Sequence, residues 1–333
     1  MSGRTGEVRR LWLHVVLFLA TLLTTTAAGA LQSGADFLSD PRQIVSGLPF
    51  AVTLMSILLV HEMGHYLTSR YYGVHATLPY FIPGPTILGT FGAFIRMQST
   101  LPDRRSVFDI GAAGPLAGLA LAVPAAAVGL RLSTIIPNAA EASGLSLGSS
   151  LLFSFLSKIT FGTLPEGADI ALHPIATAGW VGLFVTAMNL LPASQLDGGH
   201  VAYALFGKKH IWVSRLTAVT LLVLGATRWY GWFVWGLLFL FFGLGHPPAL
   251  DADTPLDAKR KFVGWFLLAT LAVTFMPVPF SVQEPDELEE RHRPAPPEPL
   301  QKIQGREVLD ERAIELASIF SHHHAPGSRA LHL

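Results

Sequence analysis

Seven apolar runs decide what this chain can become: residues 11–31, 47–67, 107–130, 173–191, 212–227, 230–244 and 262–279. A helix rises about 1.5 Å per residue, so about twenty apolar residues cross a bilayer core roughly 30 Å thick. Inside lipid, every backbone polar group must be satisfied within the protein, which makes helices the natural spanning element. Composition agrees: half of the 333 residues are hydrophobic and 14% are charged, against about 25% charged in soluble domains. The expected fold class is an all-α polytopic membrane protein with about six to eight transmembrane helices.

Arg4, Arg9 and Arg10 precede the first run. The start resembles a signal peptide, but the run is long enough to be retained as a first helix with its start in the cytoplasm. Four regions are expected: 1–45, an N-terminal helix and loop; 46–205, a membrane core whose HEMGH and LDG motifs, taken up below, make it the catalytic part; 206–280, C-terminal helices; 281–333, a disordered polar tail. The segment 131–173 is mixed, and its apolar middle, SLLFSFLSKITFG, reads as interfacial or re-entrant. In the tail, one short helix is expected at 307–320, and the His322–His324 cluster reads as solvated. A net charge of zero gives no cause to expect nucleic acid. The absence of cysteine excludes a disulfide framework, thiolate metal sites and a cysteine nucleophile.

The second run carries HEMGH, His61 to His65. Residues four apart on a helix share a face, so two imidazoles can hold one Zn²⁺ from the same side. Glu62 lies beside that face and fits a general base acting on water activated by the metal. Ionisable groups inside an apolar helix are functional by default, which separates this pattern from a chance match in a polar loop. If Arg70 marks the inner boundary, His61 lies about 13 Å inside it.

A catalytic zinc needs about three protein ligands and an open position. Asp197, in NLLPASQLDGGH after the fourth run, is the expected third ligand. Pro192 breaks the helical ladder there, and Gly198-Gly199 permits an irregular turn that aims the carboxylate sideways. His200 is the competing ligand, preferred as a supporting or capping residue. His75 and His173 read as interfacial, and His14 as a lone helix residue.

Taken together, HEMGH on one span and NLLPASQLDGG on a later one resemble the site-2 protease family of intramembrane zinc metalloproteases, peptidase M50. The stretch FIPGPTILGTFGAFIRMQSTLPDRRSVFDIGAAGPLAG resembles the branch containing plastid and bacterial relatives of the ethylene-dependent gravitropism-deficient, yellow-green proteins. The resemblance spans roughly residues 54–200. It implies His61, His65 and Asp197 as ligands of one Zn²⁺, Glu62 as catalytic base, and Asn189 as a substrate or oxyanion contact. It also implies single-span membrane-protein substrates, already trimmed by another protease, within the lipid bilayer. A bacterial inner membrane, with the site toward the cytoplasm, is the expected location. One departure stands out: segment 131–173 is too short for the PDZ domain that many bacterial relatives carry.

Water must reach a peptide bond that a helical substrate hides in its own hydrogen bonds. Segment 78–97 offers a means, because Pro79, Pro83 and Pro85 block helix while Thr86, Ile87, Phe91, Phe94 and Ile95 favour strand. A small membrane-inserted β-hairpin or loop near the active site is expected, with an edge on which an unwound substrate adds a strand. In GAAGPLAG, Gly111, Gly114 and Gly118 read as close-packing residues. The rival readings are a membrane metal transporter and a proteolytically inactive relative that binds membrane proteins.

Overall fold

The computed structural model describes residues 2–137, 144–165 and 167–283. The tail from 284 onward, with its expected disorder, short helix and His322–His324 cluster, lies outside the described residues. Chain order is α1 (Ser2–Gln32), a 3₁₀ turn (Pro41–Gly47), α2 (Leu48–Tyr71), β1 (Tyr80–Pro83), β2 (Thr90–Phe94), α3 (Arg104–Leu132), β3 (Thr134–Ile136), β4 (Gly144–Leu147), α4 (Leu151–Phe161), β5 (Asp169–Ala171), α5 (Pro174–Asn189), α6 (Asp197–Phe206), α7 (His210–Thr227), α8 (Gly231–Phe242), α9 (Ala258–Thr274) and β6 (Phe280–Gln283). The protein is mostly helical. Its strands form antiparallel pairs, β1 with β2, β3 with β5 and β4 with β6.

Among the described residues, four stretches are long and apolar enough to cross a membrane: Leu11–Gln32, Pro41–Tyr71, Arg104–Leu132 and Asp197–Thr227. The runs at 173–191, 230–244 and 262–279 instead yield helices of 16, 12 and 17 residues. Each has a local reason to stop. Helix α5 ends where NLLPASQL turns, α8 ends at Gly243 with φ +95°, and α9 ends at Thr274, where Phe275 is extended ahead of Pro277 and Pro279. Outward faces keep large apolar side chains uncovered, among them Leu19, Leu23, Val52, Leu216, Val219 and Phe262. Uncovered apolar surface on this scale suits lipid rather than water.

Helix α3 is the hub. Asp103 and Ser106 form a reciprocal capping box at its start, at 2.7 and 3.1 Å. Its small residues let α2, α5 and α6 approach closely. A Cβ on Gly129 would strike the backbone of Ala176, and one on Gly179 of α5 would strike the backbone of Ala126. The core between α2, α3 and α5 contains Phe50, Leu54, Ile57, Ala122, Ala126 and Trp180, all buried.

The β1–β2 pair runs in register from Tyr80 opposite Phe94 to Ile82 opposite Gly92, with a bulge before Pro83. Helix α1 braces it at three heights. His14 Nδ1 donates to Pro79 O at 3.1 Å, Thr24 Oγ1 to Gly89 O at 2.6 Å, and Gln32 Nε2 to Ile87 O at 2.6 Å. His14 therefore ties α1 to the strand pair and is not the lone helix residue the sequence suggests. His173 caps α5, its Nδ1 accepting from the Ile175 N–H at 3.3 Å.

Candidate metal centre

Helix α2 sets His61 and His65 one turn apart on a buried face, with Glu62 beside them, each less than a tenth exposed. The third group arrives from a break in the helical stack. Helix α5 ends at Asn189, and residues 190–196 double back before α6 begins at Asp197. Ser194 has a positive φ of 54°, and the Pro192 carbonyl is pinned by the Ser214 hydroxyl at 3.1 Å. Gly198 and Gly199 serve close approach: a Cβ on either would strike loop carbonyls, of Leu190 and Ser194 respectively. The first turn of α6 therefore nests on the loop, and its first residue is carried to the histidines.

Three ligand-type atoms converge. His61 Nε2 lies 3.1 Å from Asp197 Oδ2, His65 Nε2 lies 3.2 Å from the same oxygen, and the two imidazole nitrogens are 3.2 Å apart. Zinc bonds of 2.0–2.1 Å at tetrahedral angles place ligand atoms about 3.3 Å from one another. The donor set therefore fits one Zn²⁺ in chemistry and in spacing. His65 supplies an independent check, because its Nδ1 meets the Ile110 carbonyl at 2.7 Å. A carbonyl only accepts, so the proton is on Nδ1 and the Nε2 lone pair faces the cluster, as a metal ligand requires. Among the described residues, His61, His65 and Asp197 are the group of three or more that can hold a metal.

These residues line a cavity of about 200 Å³ together with Glu62, Asn189, His200 and the strand-side residues Ala93, Phe94 and Ile95. Asn189 Nδ2 lies 3.3 Å from His61 Nε2. The Glu62 carboxylate is met by the Ile95 backbone. His200 sits one turn after Asp197, but its ring turns to His246 and caps no helix.

Sequence reading missed two parts of this site. Gly111, Gly114 and Gly118 do pack closely, but against the site itself: a Cβ at each would meet His200, His65 and His61 in turn. Their spacing on one face of α3, opposite a helix bearing two histidines, was the available signal. His246 was missed altogether, since a GHPP segment after an apolar run reads as a simple exit from a helix.

Paired imidazoles and a carboxylate remote in sequence, with a further acid alongside and apolar helices around them, define a metal centre of the metallopeptidase type within a membrane protein. The profile of "Peptidase family M50" matches residues 49–226, more than half of the chain, and the chain belongs to that family. It is similar to "Probable zinc metalloprotease EGY1, chloroplastic" of Oryza sativa subsp. japonica, 37% identical over 69% of this chain and 44% of that protein. Arabidopsis thaliana proteins of the same kind also match. "Probable zinc metalloprotease EGY1, chloroplastic" is 33% identical over 80% of this chain and 54% of its own length, and "Probable zinc metalloprotease EGY2, chloroplastic" is 31% identical over 76% and 46%. The chain spans about half the length of the curated relatives it matches. No solved structure matches it. The expectation of a bacterial inner membrane is overturned, because these relatives are chloroplast proteins.

Proposed function

We propose that this chain is an intramembrane zinc metalloprotease that cuts membrane-protein segments in a plastid membrane. The observation that carries the reading is the meeting of His61, His65 and Asp197 from two remote helices beside the Glu62 carboxylate, which lines the same cavity. His61 Nε2, His65 Nε2 and Asp197 Oδ2 would hold the ion. A Zn²⁺ held there supplies a Lewis acid for the scissile carbonyl and for water. Glu62 takes a proton from the attacking water and returns it to the leaving amine. Asn189, whose amide points into the same chamber, donates to the oxygen that becomes negative. A transporter would need metal-binding groups along a path through the bilayer, and the one metal-capable group among the described residues does not favour it.

Strand β2 borders the chamber through Ala93 and Phe94. We take the β1–β2 pair to be inserted in the membrane, with β2 receiving an unwound substrate segment as an added strand. We take α5, α8 and α9 to complete a bundle of about six to eight spans, since short helices suffice where a bilayer thins or surrounding protein shields their ends. Single-span substrates already trimmed by another protease suit so small a chamber. The chain divides accordingly into a brace at 1–45, a catalytic core at 46–205, helices at 206–280 and a tail beyond.

The test is a comparison of membrane proteins accumulating in cells that carry Glu62→Gln with those in cells carrying the unaltered chain. The purified variant retains zinc and cleaves none of the accumulated proteins, while the unaltered chain cleaves them. A Glu62→Gln protein that processes substrate at the normal rate refutes the mechanism.

A further inference from the structure

Three more buried histidines meet behind the chamber: His200 on α6, His210 at the start of α7, and His246 in the connection between α8 and α9. None is among the three ligand residues, and His246 lies beyond the region matched by the family profile. Their hydrogen bonds fix where each proton sits. His246 Nδ1 meets the Pro247 carbonyl at 2.6 Å, and His210 Nδ1 meets the Gly207 carbonyl at 2.8 Å. Carbonyls only accept, so both rings are protonated at Nδ1, and a neutral imidazole has no second N–H. His210 Nε2 accordingly accepts from the backbone N–H of His246 at 3.1 Å. His246 Nε2 accepts from His200 Nδ1 at 2.5 Å. The single proton of a neutral His200 is therefore on Nδ1, and its Nε2 is a bare lone pair.

Tyr203 packs against the histidine chain. The Tyr203 ring stacks on His246 at 4.5 Å with a 15° tilt, and the Tyr203 hydroxyl accepts from the Ala249 N–H at 3.2 Å. Burial, reinforced by the neighbouring His200, pushes the His246 pKa down to about 3 and keeps that ring neutral. His200 Nε2 has no hydrogen-bond partner. Ser69 Oγ is the sealed, unpartnered side-chain atom among the described residues, so His200 Nε2 is not sealed. The space His200 lines is the chamber that also holds Glu62 and Asp197.

We propose that His200 is a further acceptor in the reaction chamber, orienting the attacking water, and that His246 is a positioning residue that locks His200 in the accepting tautomer. This rests on the proteolytic reading above. A water molecule has two O–H bonds. Glu62 receives one, and a second acceptor fixes the remaining rotation, so that the oxygen lone pair faces the carbonyl to be attacked. An unlocked imidazole would spend time with its N–H facing the chamber, donating to that water and turning it away.

The test uses the full chain in detergent, loaded with Zn²⁺, and a single-span substrate from the accumulation experiment. His246→Leu fills the volume without an acceptor, whereas His246→Gln restores an amide oxygen near the Nε2 position. Zinc content, kcat and KM are measured, together with ¹⁵N spectra of labelled histidine, in which His200 is identified by its loss in His200→Gln. The expected result for His246→Leu is unchanged zinc and KM with kcat lowered about 10- to 100-fold, with His246→Gln recovering most of the rate. His200 shows the Nδ1–H pattern in the unaltered chain and a mixed pattern in His246→Leu. Unchanged kcat in His246→Leu, loss of zinc in step with kcat, or failure of the Gln variant to recover overturns the proposal. If His246→Leu does not fold, an Nε2–H pattern for His200 in the unaltered chain overturns it, and an Nδ1–H pattern supports it. If the unaltered chain cleaves nothing, the proteolytic reading fails, and the same spectra still decide the tautomer lock.

Discussion

Replacing Gly114 by alanine adds one methyl group to α3 and tests the geometry of the metal centre directly. The new Cβ would overlap the His65 ring at its ligating nitrogen. Behind Gly114 is helical backbone, and His65 is held from its other side by Nδ1 donating to Ile110 O. The ring cannot tilt away without breaking that bond, and α2 cannot retreat without opening the core around Leu54 and Ile57. Overpacking of this kind costs about 1–3 kcal/mol. Because it falls on a ligand, the strain weakens zinc binding by roughly 5- to 150-fold, at about 1.4 kcal/mol per tenfold. Gly118→Ala is the matched control. Its Cβ would stand 3.0 Å from His61 Nδ1, so a shift of a few tenths of an ångström relieves it. The expected loss there is under tenfold, less than about 1.4 kcal/mol. Competition with a fluorescent zinc chelator measures both variants in detergent, with helicity by circular dichroism as the fold check. Gly114→Ala binding zinc as the unaltered chain does, or Gly118→Ala failing equally, would refute the reasoning.

Arg260 on α9 forms a bidentate pair with Asp109 of α3, at 2.8 and 2.6 Å, and also reaches Asp257 and the Tyr72 hydroxyl. The pair is about three-quarters buried, so Arg260→Ala should lower stability by about 1–3 kcal/mol, between the values for exposed and buried pairs. Thermal unfolding in detergent reads it, and an unchanged midpoint would show that the pair contributes nothing. Asp257 accepts from the Arg260 backbone N–H and pairs with its side chain, which lowers its pKa from 3.8 to about 2. Because the folded value is the depressed one, this stabilisation is present above about pH 4 and is lost as pH falls toward 2. Asp257→Asn should flatten the stability profile across that window, and an unchanged acid limb would remove Asp257 as a contributor.

The metal centre was legible because its two halves obey strong local rules. A four-residue spacing on a helix places His61 and His65 together whatever surrounds them. A proline followed by a glycine pair marks a break in an apolar run, and Asp197 was the acid next to that break. Span lengths were harder to read, because hydropathy does not show where an apolar run stops being helical. Residues Leu190 and Leu191 are as apolar as those before them, yet they lie in the turn that delivers Asp197. The histidine chain was illegible for another reason. His246 is 46 residues from His200, and nothing local signals a contact that only the packing of the α8–α9 connection against α6 and α7 creates. The small-residue face of α3 was read for what it does generally, which is to allow close packing. Which side chains claim the space depends on the register of α2 against α3, and that register is a tertiary fact.

The three ties from His14, Thr24 and Gln32 fix the open end and the turn of the β1–β2 pair to a helix contributing no group to the chamber. A small shift of α1 would reach that strand pair through these ties, and would meet α2 at its start, where Gly29 packs on Phe50, about three turns before His61. If β2 receives the substrate segment as proposed above, choice of substrate and competence to hydrolyse are set by different segments of the polypeptide. Exchange of the first helix between relatives is a way to redirect such an enzyme without retuning its centre.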